Sequence, residues 1–278
     1  MAIKQEIQSA MMQAVETVKQ TNPMAGAITN TVTINFVANA QLAVGGSAAM
    51  VYLPDEAEFL AKAGGATYIN VGTLFPIYEE TLPCVAKVLH TTGKPWVLDP
   101  VAVGIGSLRT QLLQQFKEYK PTIIRGNASE IIALAGLWGL DGGTSGSNVR
   151  GVDSTDSVNA AKTAACALAK WTGGAVAVSG ETDLVTDGSV MAVSYGGSHF
   201  MEKITGAGCS LGGVVAVYAT AATPFIAALT ATAVYNVAGK RAELKVDGPG
   251  SFQVQFLDEL YKATPEEIAN NPFEIKEV

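Results

Sequence analysis

The sequence is poor in charge, in histidine and in cysteine. Only 15% of its 278 residues are charged, and 25 acidic against 18 basic side chains leave a formal net charge of -7. Binding along a nucleic-acid backbone is driven by clustered Lys and Arg, so this balance argues against nucleic acid as a partner. Two histidines, His90 and His199, are too few to suggest a zinc site. The three cysteines, Cys84, Cys166 and Cys209, are odd in number, far apart and without CxxC spacing. That usage points to a reducing, cytoplasmic compartment and away from a disulfide framework. No stretch of shifted composition divides the chain, and residues 1–278 are therefore expected to form a single domain.

The first residues do not read as a secretory signal, because Ile3, Ile7, Met11, Val15 and Val18 are spaced as one face of an amphipathic helix. Charge is missing altogether from residues 204–239, a run long enough to suggest a membrane span. Its Ala, Gly, Thr and Val content, divided by Pro224, favours two close-packed buried helices and no membrane partner.

What the sequence does contain is a regular alternation. Apolar, β-branched runs at 67–71, 96–98, 122–124 and 175–178 alternate with helical stretches at 76–90, 110–119, 129–137 and 154–171. This is the pattern of βαβ units and of parallel strands buried on both faces. The runs end in Gly72-Thr73, Asp99-Pro100, Arg125-Gly126-Asn127 and Ser179-Gly180. Ligands of such sheets bind at the carboxyl ends of the strands, so these four turns are expected to line one crevice. Residues 183–186 and 190–195, joined by Asp187-Gly188, read as a hairpin and place antiparallel strands at one edge. Residues 142–148 read as a flexible surface loop.

Two segments carry chemistry. In Thr205-Gly206-Ala207-Gly208-Cys209, ahead of an apolar helix at 211–220, two glycines open a helix start. The unpaired amides and the dipole of such a start suit a phosphate that gains charge during transfer. Tight helix packing is the alternative reason for the glycines. In Arg125-Gly126-Asn127-Ala128-Ser129-Glu130, Asn127 and Glu130 are three residues apart. On a first helical turn they share a face, where the carboxylate can hold Mg²⁺ directly or through water. The same spacing is that of a capping box worth ~1 kcal/mol, and both roles are compatible. Arg125, at the end of an apolar strand in a protein with few basic residues, is a candidate phosphate contact.

Together these segments resemble the hydroxyethylthiazole kinases of the ribokinase-like superfamily, in which an Asn-x-x-Glu motif organises Mg²⁺ and a Gly-Ala-Gly turn forms the anion hole. The resemblance extends over Ile28-Thr29-Asn30, Val32-Thr33, Asn35, Ala38-Asn39, Gly45, Ser47 to Met50, Asn70-Val71-Gly72-Thr73, Asp99-Pro100-Val101, Gly151-Val152-Asp153-Ser154 and Val178-Ser179-Gly180-Glu181-Thr182-Asp183. It implies a three-layer α/β/α ribokinase-like fold with a mostly parallel central sheet and an antiparallel edge. The implied reaction is phosphorylation by ATP, with Mg²⁺, of the alcohol of 4-methyl-5-(2-hydroxyethyl)thiazole in thiamine salvage.

By resemblance, Met50, Gly206 and Asn30 contact the thiazole, and Arg125, Ser179 and Asn127 contact ATP. Asp99 and Glu130 lie near the metal and phosphates, and Gly206, Ala207 and Gly208 form the anion hole. Cys209 stands where sugar kinases of the superfamily place an Asp base. At a helix start its thiol pKa is expected to fall below the reference of about 8.5, making it a weak base. Read by themselves, Met50 is a core gap-filler, Ser179 and Asp99 are turn residues, and Cys209 is a small buried residue. The family's homotrimer implies active sites between subunits, with the uncharged 204–239 helices expected to offer interface surface.

Two positions depart from the family pattern. A Pro usually follows the residue matching Ser47 and a Gly the residue matching Val101, where this chain has Ala48 and Ala102. The first is expected to loosen the turn presenting Met50, and the second to add a methyl near the phosphates. Rival readings are a hydroxymethylpyrimidine kinase, a dehydratase of damaged nicotinamide cofactor, and a catalytically silent nucleotide-binding protein.

Overall fold

The computed structural model describes residues 2–144 and 157–278. Residues 145–148 of the expected loop, 154–156 of the expected helix, and the motif Gly151-Val152-Asp153-Ser154 lie outside the described residues. The strands are β1 (Met24–Ile28), β2 (Ser47–Met50), β3 (Ala66–Asn70), β4 (Trp96–Asp99), β5 (Ile123–Asn127), β6 (Ala175–Ser179), β7 (Asp183–Thr186), β8 (Val190–Ser194) and β9 (Phe273–Glu277). The helices are α1 (Ala2–Thr21), α2 (Ile34–Ala43), α3 (Pro54–Ala63), α4 (Tyr78–Thr92), α5 (Ser107–Tyr119), α6 (Ala128–Leu137), α7 (Lys162–Thr172), α8 (Ala207–Ala219), α9 (Pro224–Glu243), α10 (Pro249–Lys262) and α11 (Pro265–Ala269).

The strands form one sheet in the order β2-β1-β3-β4-β5-β6-β7-β8-β9. Pairing is parallel from β2 through β6 and antiparallel from β6 to β9. Side chains alternate between two cores, as the pleat requires. Tyr68, Val97, Ile123, Ala175 and Ala177 face α1, α2 and α8 to α11, whereas Ile69, Leu98, Ile124, Val176 and Val178 face α3 to α7. The result is the expected three-layer arrangement with an antiparallel edge.

One face of the sheet is unusually small. Ala25, Ala27, Ala66, Ala175, Ala177 and Ala192 floor the first core, which lets α8 lie close over β1, β3 and β4. At Gly212 there is no room for a β-carbon, because it would run into the ring of Tyr68. The uncharged 204–239 run is thus α8 and α9, and both are buried within the subunit. This corrects the expectation that they supply an intersubunit surface. Three buried hydroxyls find partners within the pair: Thr230 and Thr232 donate to the carbonyls of Ile226 and Ala228, and Tyr235 donates to Ser210 Oγ at 2.8 Å. Among the described residues no helix is long and apolar enough to cross a membrane.

Several boundaries shift. Arg125-Gly126-Asn127 is the end of β5 rather than a turn, and Met50 lies on edge strand β2, with Ala48 paired opposite Ala25. A proline at 48 would therefore alter an edge strand, not a turn. Helix α8 starts at Ala207, four residues before the expected 211. Met11, Val15 and Val18 of α1 are fully buried, but Ile3 is exposed. Gly142 packs on Thr163 and Ala164, and Gly143 on Gly136, so this described part of the expected loop is anchored.

Candidate active site

The carboxyl ends of β3 to β6 bring the chemistry together. Register pairs Asn70 with Asp99 and Asn127 with Ser179. Asp99 is wholly buried, and three donors converge on its Oδ2: the Tyr68 hydroxyl at 2.8 Å, Asn70 Nδ2 at 3.1 Å and Arg125 Nη1 at 3.4 Å. Its Oδ1 is buried with no partner, as is Arg125 Nε. Leaving such atoms bare costs ~1–3 kcal/mol each, so an orphan atom on each member of a buried ion pair points to a ligand. Arg125 also donates from Nη2 to Ser179 Oγ at 3.0 Å.

Helix α8 meets this cluster end on. Gly206 caps it with φ of +92°, a backbone conformation that favours glycine. The first intrahelical bond is Ser210 N to Gly206 O at 2.8 Å, so the amides of Ala207, Gly208 and Cys209 are the helix's orphan donors. A β-carbon on Gly208 would stand 2.7 Å from both terminal nitrogens of Arg125. The glycine therefore lets the guanidinium lie against the helix start, so the close-packing reading of the motif holds, and it sets a positive charge next to amides of the kind that suit an anion.

Asn127 and Glu130 form the capping box. Asn127 Oδ1 accepts from Glu130 N at 2.9 Å, and Glu130 Oε2 accepts from Asn127 N at 2.9 Å. Glu130 Oε1 accepts from Ala102 N at 3.4 Å. Both carboxylate oxygens are thus engaged by amides. Ala102 has φ of +60°, in the left-handed region, which explains why a glycine suits the position and costs an L-residue ~1–2 kcal/mol.

Burial dominates the electrostatics. It pushes the Glu130 carboxyl up to about 7, aided by Asp99 and opposed by Arg125. Asp99 is also raised by burial, against the pull of Arg125, Tyr68 and Asn70. Burial works against the Arg125 charge as well, but Asp99 and Glu130 outweigh it and hold the guanidinium positive. Cys209 corrects an expectation: burial raises its thiol pKa, followed by repulsion from Asp99. The dipole of α8 is real, but a thiol enclosed beside a carboxylate loses more from desolvation than the helix start supplies.

Asn30 is buried and engaged. Its Nδ2 donates to Asn70 Oδ1 at 3.0 Å and to Cys209 Sγ at 3.5 Å, and its Oδ1 accepts from Thr33 N at 3.1 Å. Asn70 Nδ2 reaches the same sulfur at 3.4 Å. Met50 is half-buried against the first core, on the strand next to β1. Sequence reasoning did not single out Tyr68 or assign Asn70 a role, although these two orient Asp99. The only available signal was a Tyr and an Asn two residues apart on a strand, which alternation places on the same face.

The architecture is shared with a ribokinase-like superfamily protein of Enterococcus faecalis, at a TM-score of 0.60 and 13% identity over 89% of each chain, and the fold is ribokinase-like. Sequence narrows the class. The model of the hydroxyethylthiazole kinase family matches residues 15–266. A hydroxyethylthiazole kinase of Bifidobacterium adolescentis is 52% identical over 273 residues, 95% of this chain and 93% of the relative. A solved hydroxyethylthiazole kinase structure from Pyrococcus horikoshii has a TM-score of 0.85 at 28% identity, covering 96% of this chain and 98% of that one. The chain belongs to the hydroxyethylthiazole kinase family.

Proposed function

We propose that this chain, acting as one kinase domain over residues 1–278, transfers the γ-phosphoryl group of ATP to the hydroxyl of 4-methyl-5-(2-hydroxyethyl)thiazole, in the cytoplasm, as a step of thiamine salvage. One observation carries the chemistry: the Arg125 guanidinium lies against the glycine-opened start of α8 and pairs at 3.4 Å with Oδ2 of Asp99, whose Oδ1 is left bare. Two sources of positive potential and one oriented carboxylate are what an in-line phosphoryl transfer needs, since its loose transition state responds to positioning and electrostatics more than to a strong base. The amides of Gly206, Ala207 and Gly208 stabilise charge on the transferring oxygens. Arg125, Ser179 and Asn127 hold ATP, and Met50, Gly206 and Asn30 line the thiazole end.

Magnesium fits the donor set. Asp99 Oδ1 is the buried oxygen left free, whereas the amides engaging Glu130 leave it to act through water. Among the described residues no group of three or more His, Cys, Asp or Glu could hold a metal. That suits Mg²⁺, which takes one or two carboxylates and completes its shell with phosphates and water. When bound, it neutralises phosphate charge. Homotrimer assembly with shared sites is part of the proposal, supported by the family and by exposed Val32, Leu42, Tyr52, Leu53 and Phe59 on the segments that precede and follow edge strand β2.

The test is release of ADP from Mg-ATP with and without the thiazole alcohol. Thiazole-dependent release supports the assignment. ATP binding without thiazole-dependent turnover refutes it and leaves a silent nucleotide-binding protein.

A further inference from the structure

Outside the cluster just described, one polar group stands out in an otherwise apolar setting. Asn236 is the amide in the middle of α9, 4% exposed. Its Nδ2 donates to Asp183 Oδ2 at 3.0 Å and to Ser194 Oγ at 3.1 Å, and the same hydroxyl accepts from the buried Asn271 at 3.1 Å. Asp183 turns its other oxygen, Oδ1, to the amide of Gly180 at 3.2 Å. The backbone carbonyl of Asn236 accepts from Gly197 N at 3.1 Å. Gly196 is packed so close that a β-carbon there would stand 2.8 Å from Asn236 Cβ.

These bonds join two segments that face the nucleotide end of the site. The first is the turn after β6, whose leading residue Ser179 accepts from Arg125. The second is the stretch from Tyr195 to Thr205, which runs through the 3-10 helix His199–Lys203 into Gly206, the cap of α8. A buried amide in an apolar helix is unfavourable without partners, and here the partners of Nδ2 and of the backbone carbonyl all lead to these two segments or to the strand ends beside them. We propose that Asp183 and Asn236 are positioning residues for a nucleoside di- or triphosphate, fixing the Ser179 turn relative to the segment that delivers the α8 anion site. The inference rests on the nucleotide-binding part of the proposed function. Burial pushes the Asp183 carboxyl up to about 6, with Asn236, Gly180 and Arg125 pulling it down, so above that pH it is ionised and can accept from both donors.

The donor–acceptor arrangement makes the test specific. In Asp183→Asn the new amide keeps one oxygen for Gly180 but turns an N–H₂ toward the N–H₂ of Asn236. In Asn236→Asp two carboxylates meet. Each single variant is expected to raise the Kd of ADP, read by titration calorimetry, by about tenfold, the size of one lost hydrogen bond to a charged group. The KM for ATP should follow, while the KM for the thiazole alcohol stays near that of the parent. The exchange Asp183→Asn with Asn236→Asp restores a donor facing an acceptor and keeps an oxygen for Gly180, so ADP affinity should return. If Asp183→Asn fails to fold, Asn236→Asp and the exchange are read in the same way. Single variants that bind ADP as tightly as the parent and lose only melting temperature overturn the proposal, and so does a folded exchange variant that recovers nothing. Because ADP affinity needs no turnover, a parent enzyme that binds ADP but ignores the thiazole would refute the substrate assignment without touching this inference.

Discussion

At the scale of single residues, the same side chains serve stability and chemistry, and the two can be separated by measurement. Glu130 caps α6 with its neighbours' amides, yet its carboxyl is raised from 4.5 to about 7. In metal-free buffer the folded protein therefore keeps this proton to a higher pH than the unfolded chain, and stability is fully present below 4.5 and is lost as pH rises through about 7. Glu130→Gln keeps one acceptor for the cap and removes the charge. Its melting temperature relative to the parent is expected to rise by a few degrees across that window, while kcat with Mg-ATP falls steeply. A variant with unchanged kcat and only a lowered melting temperature would reduce Glu130 to a cap. Ala102 gives a simpler case. Ala102→Gly relieves a left-handed alanine and is expected to gain up to ~1 kcal/mol, net of the entropy a glycine adds to the unfolded chain, read as a raised denaturant midpoint. Cys209, with its pKa raised by burial, should remain a neutral thiol held by Asn30 and Asn70. Cys209→Ala is expected to lower kcat by less than the ~10²-fold that a general base supplies, and to leave the alkaline side of the pH profile unchanged. A larger loss with a displaced alkaline limb would restore the base.

At the scale of elements, α8 is the part whose every glycine position is decided by a neighbour. Gly208 makes room for Arg125 and Gly212 for Tyr68, so their substitutions are expected to fail differently. Arg125 can swing aside at its flexible end, and Gly208→Ala should keep its melting temperature while ATP affinity and kcat fall. The ring of Tyr68 is fully buried and cannot yield. Gly212→Ala should destabilise by ~1–3 kcal/mol, the usual range for overpacking, a melting shift of several degrees. Equal effects of the two on stability would show that Gly208 is a packing residue only. Much of this layer was legible in the sequence. The apolar runs gave β3 to β6 to within a residue or two at their starts, and the hairpin of β7 and β8 followed from Asp187-Gly188. Strands β1 and β2 were not read because Met24–Ile28 and Ser47–Met50 are mostly Ala, Gly, Ser and Met, with Ile28 the one β-branched residue, and β9 was overlooked although Phe273–Glu277 carries the apolar–charged alternation of an edge strand.

At the scale of the whole molecule, the antiparallel edge is closed by the C-terminal strand, whose Phe273 enters the first core, and the opposite edge ends in β2 with Met50. Light scattering on the purified enzyme at micromolar concentration is expected to return a trimer, and mixtures of differently inactivated subunits should recover activity if sites are shared. A fully active monomer rules this out.

The sequence by itself determined the α/β alternation, the order of the parallel strands' helices, and the two segments that carry the glycine-opened helix start and the capping box, because these are local patterns of three to ten residues governed by backbone geometry and burial. Only the tertiary structure decided what those segments do to one another. The pairing of Arg125 with Asp99 and Ser179, the orientation of Asp99 by Tyr68 and Asn70, and the rise of the Cys209 pKa all join residues far apart in the chain. Desolvation is set by everything that encloses a group, and no local pattern records what the rest of the fold will lay over it.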